Sequence, residues 1–220
     1  MISKFTKNTY LCILMFFLIS FEAKSELNVG DIAPPFTLPS SVGKQVSLSD
    51  FLGKIVVLEW VNHGSPYVRR KYVWEQMQKA QRAAKRMKKP EAFEKNEDTV
   101  IWLTICSSAP DKYGHMTPDQ INFINRREKS AADFYLSDES GAVGRSYGAT
   151  VTPEIFIINS SGKIAYHGAF DDDTQEPGPD EVPLPNTKNY VLEALKDLVA
   201  GTPVKTPKTE LFGSGIIYAE

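Results

Sequence analysis

Ser65 lies in Asn62-His63-Gly64-Ser65-Pro66, where an apolar, β-branched run (Ile55 to Val61) gives way to a helical pattern. Gly64 permits a sharp turn, and Pro66 suits a first helical position because the N–H there has no intrahelical acceptor. A side chain at position 65 therefore meets free backbone N–H groups and the positive end of a helix dipole, which stabilise negative charge. A thiol starting near pKa 8.5 can be brought to about 3.5 to 7.5 by such a field and nearby cations, so a thiolate would be available. A serine hydroxyl starts far higher and stays protonated. Ser65 can cap the helix, or it can be a nucleophile with His63 as base. The chain has no G-x-S-x-G elbow and no clear acid partner beside it, which favours the cap.

Cys106 is the second candidate. It ends the apolar run Thr99 to Ile105 as Asn62 to Ser65 end theirs. Parallel strands deliver their C-terminal ends to one sheet edge, where sites form in open α/β sheets, so the two segments are expected to be neighbours. A free cysteine is more often buried and inert than reactive, and both readings stand at this point. Arg69, or alternatively Arg145, is placed to supply positive charge to a thiolate or an anionic ligand. His63, His115 and Cys106 fall on loops at the same expected edge, but three donors without a recognisable spacing do not define a metal site. No metal and no cofactor is assigned, and His167 is expected at the surface.

The elements that must position these residues belong to a chain of 220 residues, 42% apolar and 24% charged, with a net charge of -2. That balance suggests neither nucleic acid nor an anionic membrane as the main partner. Residues 1–25 have the form of a signal peptide: Lys4 and Lys7, the apolar run Leu11 to Phe21, then Ala23-Lys24-Ser25 before a mature start at Glu26. The run is well short of the roughly 20 residues a spanning helix needs, so no stable membrane span is expected after cleavage. Cys12 leaves with the leader, and Cys106 becomes the single thiol of an exported chain. One domain over 26–201 and a proline-punctuated tail over 202–220 complete the expected organisation.

Phe36 to Leu38 and Gln45 to Leu48 flank a Pro/Ser/Gly turn and predict an N-terminal hairpin. Ser49 to Leu52 predicts one helical turn. Beyond Pro66 the spacing of Tyr67, Tyr72 or Val73, Met77, Ala80 and Ala84 predicts a single amphipathic helix with its basic residues elsewhere than on that face. The charge-rich stretch Arg82 to Lys95 reads as a solvated surface. Thr117, Pro118 and Gln120 predict a capping-box helix to about Lys129, followed by a short strand at Phe134 to Leu136 and a brief helix closed by Gly148. Glu154 to Asn159 and Ile164 to His167 predict a strand pair around a tight turn. Pro153 heads the first of them, a place where a cis Thr152–Pro153 bond is expected. Asp171 to Pro185, with six acidic residues and four prolines, reads as an extended surface loop without the ligand spacing of a calcium site. Asn189 to Ala200 predicts a helix stopped by Gly201. Strands alternating with helices argue an α/β sheet.

Four groups of residues taken together resemble the redoxin branch of the thioredoxin-fold superfamily, which includes the peroxiredoxin-like proteins. They are Gly30-Asp31-Ile32-Ala33-Pro34-Pro35-Phe36-Thr37-Leu38 with Gly43 to Lys54, Glu59-Trp60-Val61-Asn62-His63-Gly64-Ser65-Pro66-Tyr67-Val68-Arg69, Ser107-Ser108-Ala109-Pro110, and Tyr147-Gly148-Ala149-Thr150-Val151-Thr152-Pro153. The order and spacing of these motifs, more than any one of them, carry the resemblance. It implies a thioredoxin-like fold, a central mixed sheet flanked by helices with the hairpin as an extension, and an ancestral thiol-dependent peroxide or disulfide reduction. It also implies a thiol reductant or client protein as partner. Ser65 occupies the position of the reactive cysteine. Ser214, in Thr209 to Tyr218, occupies that of a cooperating, resolving cysteine. Correlated loss of a thiol pair and engineered replacement would leave the same pattern. Peroxidase turnover is expected to be weak or absent. The alternative is a non-catalytic protein that binds a peptide or small ligand in the groove formed by His63, Gly64, Pro66, Thr152 and Pro153.

Overall fold

A computed structural model describes residues 27–88, 99–178, 182, 184 and 186–220. The expected leader and half of the charge-rich stretch lie outside the described residues. Five strands form the central sheet, in the order β5 (Phe134–Ser137), β4 (Val100–Cys106), β3 (Ile55–Trp60), β7 (Glu154–Ile158) and β8 (Ile164–Gly168). Strands β3, β4 and β5 run parallel, while β7 and β8 are antiparallel to their neighbours, so the sheet is mixed. Every residue of β3, β4 and β7 is buried, as a sheet covered on both faces requires.

One face carries α1 (Pro66–Val73), α2 (Gln76–Arg86) and α5 (Tyr190–Val199) over a core of Val57, Trp102, Ile155, Ile157 and Tyr166. The other carries the hairpin of β1 (Thr37–Pro39) and β2 (Gln45–Ser47), a 3₁₀ turn at Leu48–Phe51 and α4 (Ala142–Tyr147), packed on Val56, Leu58, Trp60 and Phe156. Helix α3 (Pro118–Glu128) starts with the expected capping box: the Thr117 hydroxyl accepts from Gln120 N, and Gln120 Oε1 accepts from Thr117 N at 2.9 Å. The architecture is the mixed, helix-flanked sheet with an N-terminal hairpin that the sequence implied.

The single helix expected after Pro66 is two. Glu75 takes a left-handed conformation (φ 57°) between α1 and α2, and the Gln78 side-chain amide donates to the Tyr72 carbonyl at 2.9 Å, satisfying an acceptor freed by the break. Two of the basic residues set apart from the apolar positions are not at the surface. Arg70 and Lys71 are buried, because Asp171 and Asp173, expected on a surface loop, fold under α1. Lys71 Nζ lies 2.8 Å from Asp171 Oδ2 and 3.4 Å from Asp173 Oδ2, and Arg70 Nη2 is 3.1 Å from the same Asp173 oxygen. Charges this deeply buried are tolerable only when paired, and the acidic loop supplies the pairs.

The tail from Thr202 turns back along the sheet. His167 N donates to Pro207 O at 3.0 Å, and Thr209 N donates to His167 O at 3.2 Å, covering part of the open edge of β8. The tail then runs antiparallel to β6 (Val151–Thr152) as β9 (Ser214–Gly215), with Ser214 opposite Thr152.

Candidate functional site

The site forms where β3 and β4 end side by side. Val61 N donates to Ile105 O at 2.9 Å, which sets the Asn62–Pro66 turn beside Cys106–Ser108. The Asn62 side chain holds the turn: its Oδ1 accepts from Gly64 N at 2.8 Å, and its amide reaches Tyr113 O at 3.4 Å. The Tyr113 hydroxyl donates to Gly64 O, so the 111–116 loop is latched over the turn. Gly64 permits this closeness: a Cβ there would lie 2.7 Å from the end of the Tyr113 ring and would push the phenol off the turn.

Ser65 is the N-cap of α1, with extended backbone and a side chain that accepts from Val68 N at 3.5 Å; Pro66 follows as the first helical residue. It is fully buried. Its hydroxyl lies 2.8 Å from Ser214 Oγ and donates to Thr152 O at 3.3 Å. Thr152–Pro153 is a cis peptide. Ser65, Ser214, Thr152 and Pro153 are thus brought together by three segments far apart in sequence. Among the described residues no carboxylate or imidazole hydrogen-bonds the Ser65 hydroxyl, so none is placed as the general base that a serine nucleophile needs.

Cys106 ends β4 at the same edge but faces the helical core. It is 5% exposed, its Sγ donates to Gly114 O at 3.5 Å, and burial pushes the thiol's pKa up. A thiol kept protonated and covered by the 111–116 loop is a poor nucleophile. Arg69 points to solvent on α1; the buried arginine is its neighbour Arg70, held by Asp173. Arg145 is occupied with the tail: its guanidinium lies over the Tyr218 ring at 4.9 Å and donates to Ser140 O and Ala219 O.

His63 is buried beneath the turn, with Nδ1 3.2 Å from Glu128 Oε2 in a geometry too bent for a hydrogen bond, and its ring packs against Tyr72 and Tyr135. Burial works to raise the pKa of Glu128, but His63 and Arg127 outweigh it and hold the carboxyl below its ordinary value. His115 pairs instead with Glu139 at 3.1 Å. The histidines therefore address separate carboxylates, and among the described residues no group of three His, Cys, Asp or Glu side chains is placed to hold a metal ion. His167, expected at the surface, is buried: Nε2 lies 2.7 Å from Glu154 Oε1 and the ring stacks on Phe156 at 4.0 Å. Glu154 is the reason, a carboxylate at the head of an internal strand that needs partners. Its other oxygen accepts from Thr150 N at 2.8 Å and Val151 N at 3.2 Å, fixing the loop that leads into Thr152–Pro153.

Glu59 is the residue that the sequence reading passed over. It interrupts the apolar strand β3 and is completely buried, where it accepts from Trp102 Nε1 at 2.7 Å, Tyr72 OH at 3.0 Å and Gln81 Nε2 at 3.3 Å. Burial outweighs these three donors and pushes its pKa up to about 7. A lone glutamate inside an otherwise apolar strand was the available signal. Asp138 is a second such residue: it accepts from Ser107 Oγ at 2.7 Å and from Gly144 N at 2.8 Å, joining the loop after Cys106 to the start of α4.

With this geometry in view, residues 28–182 match the family model described as Redoxin. The chain belongs to the Redoxin family. No curated protein matches it. Among solved structures, this redoxin resembles an uncharacterized conserved protein from Geobacillus kaustophilus (23% identity, TM-score 0.69, 88% of this chain and 93% of that one). A hypothetical protein from Sinorhizobium meliloti is similar (21%, TM-score 0.67, 89% and 97%). A peroxiredoxin-like protein from Aquifex aeolicus is more distant (17%, TM-score 0.50, 79% and 89%). At these identities the likeness concerns the fold. The matched redoxin region ends before the tail that carries Ser214. Among the described residues no helix is long and apolar enough to cross a membrane.

Proposed function

We propose that this redoxin has lost thiol-dependent peroxide and disulfide reduction and keeps the groove around Pro153 for binding, acting after export through the leader at residues 1–25. The observation that carries the reading is the 2.8 Å contact between Ser65 Oγ and Ser214 Oγ at the start of α1. In thiol chemistry a thiolate at this place takes an oxygen from peroxide to become a sulfenic acid, releasing water, and a second thiol condenses with it to a disulfide, releasing another water. Two hydroxyl groups in contact keep the spatial relationship and have neither the acidity nor the redox chemistry. Cys106 does not replace them, because burial holds its thiol protonated under the 111–116 loop. A client polypeptide suits the reading better than a thiol reductant, which would find no cysteine at 65 or 214 to reduce.

Peroxide consumption with excess dithiol tests it. The purified mature chain and Cys106→Ala are expected to match the buffer rate, with activity only in Ser65→Cys/Ser214→Cys. Turnover in the unmodified chain that vanishes in Cys106→Ala would overturn the reading. Sequencing the N-terminus of the exported protein should give Glu26 as its first residue; recovery with residues 1–25 attached contradicts the leader assignment.

A further inference from the structure

The edge of β6 is where an added strand would meet the Thr152–Pro153 loop, and in this chain the protein's own tail already lies there. Ser214 and Gly215 pair with Thr152 and Val151, Ile216 N donates to Thr150 O at 3.0 Å, and Ala109 N donates to Ile217 O at 3.0 Å. These are main-chain contacts, indifferent to most side chains. Selectivity comes from two places. At Gly213 a Cβ would stand 2.5 Å from the Thr152 carbonyl oxygen, so only glycine passes this point without displacing backbone. Five residues on, the Tyr218 ring enters a notch bounded by Gly141 and Gly144 of the α4 start, where a Cβ on Gly144 would come within 2.5 Å of the Tyr218 hydroxyl. Arg145 covers the ring at 4.9 Å, and the hydroxyl donates to Ala149 O at 2.6 Å. The notch is shaped for a phenol.

We propose that β6 and the Gly141/Gly144 notch form a strand-addition site for an extended polypeptide with the pattern Gly-small-Gly-apolar-apolar-Tyr, which segment 213–218 occupies in cis. Main-chain pairing supplies affinity, and the glycine gate and the aromatic notch supply choice, which is how added strands are recognised. The inference rests on the binding side of the proposed function, naming the class of polypeptide that the groove takes. Thr209 stays anchored through its hydroxyl to Ala169 N and Tyr166 OH, so the segment beyond it is the part to be exchanged. A tethered occupant acts at an effective concentration of roughly millimolar and masks the site from a free strand.

The test uses the full mature chain and a fluorescent peptide of its own segment Thr209 to Glu220, followed by anisotropy. The unmodified chain is expected to bind weakly. Gly213→Val and, separately, Tyr218→Ala, each placed in the protein and not in the peptide, should loosen the tethered segment and tighten peptide binding by about tenfold or more. Adding Gly144→Ala to either should abolish the gain, and a peptide with alanine at the position of Tyr218 should bind no better to the loosened variants than to the parent. Tyr218→Ala removes a side chain without introducing a clash, so it remains informative if Gly213→Val fails to fold. Unchanged peptide binding in a folded Tyr218→Ala chain, or a gain that survives Gly144→Ala, would overturn the proposal. Peroxide turnover plays no part in this readout, so it can fail while the loss of thiol chemistry stands, and the reverse.

Discussion

Replacing Glu59 with glutamine should flatten the pH dependence of stability. In the folded chain the carboxyl is fully buried and its pKa lies at about 7, against 4.5 for an ordinary glutamate. The folded state therefore holds a proton that the unfolded state has released between those two values. Stability falls wherever the folded state binds more protons, so it should decline as pH rises from about 4.5 to 7 and level off above. A displacement of two to three pKa units corresponds to roughly 3 kcal/mol. Glu59→Gln keeps the shape and an oxygen acceptor for Trp102 Nε1 but cannot ionise. Urea denaturation of both proteins at pH 5, 6, 7 and 8 isolates the contribution as the difference between the two curves, including what the Glu59 charge does to His63. The variant should gain relative to the parent by a few kcal/mol from pH 5 to pH 8. Parallel curves, within about 0.5 kcal/mol across the range, would refute the assignment of a burial-raised carboxyl beneath the site.

Lys71→Ala leaves Asp171 buried without its closest cation and should cost roughly 3 to 5 kcal/mol, read as a fall in Tm of order 10 °C, while a cost below about 1 kcal/mol contradicts the pairing. The double change Lys71→Met/Asp171→Leu should recover most of that loss, because a buried pair replaced by apolar groups leaves no orphaned charge. Tyr113→Phe removes the hydroxyl that donates to Gly64 O, a contribution of about 1 kcal/mol. Labelling of Cys106 by a small maleimide should accelerate about fivefold, and an unchanged rate would show that the 111–116 loop does not gate the thiol.

Much of this fold is legible in the sequence because the informative residues act locally. Thr117-Pro118-Asp119-Gln120 writes its own capping box, Gly148 closes α4 in the left-handed conformation, and Ser65-Pro66 caps and starts α1 by the same short-range chemistry. The misreadings share a different cause, partners distant in the chain. Lys71 and Arg70 look like the solvated face of a helix until Asp171 and Asp173, about a hundred residues later, are known to fold beneath them. His167 looks like the exposed end of a strand until Glu154, two residues along β7 from His167's register partner Phe156, is seen to reach its ring diagonally. The break at Glu75 depends on Gln78 reaching back to a carbonyl, which spacing alone does not signal. At the site, motif order put Ser65 and Ser214 at paired positions, but only the antiparallel register of β6 and β9 sets their hydroxyls against each other.

The most direct measurement of the central claim is the oxidation state of Ser65→Cys/Ser214→Cys. Two side chains whose terminal oxygens now lie 2.8 Å apart should, as sulfurs, close to the roughly 2 Å of a disulfide with little backbone movement. Intact mass under mild oxidant should show the loss of two hydrogens, quantitative and reversed by dithiothreitol, with Cys106 still free. Two thiols at 65 and 214 that remain reduced and separately alkylated in a folded protein would contradict the account.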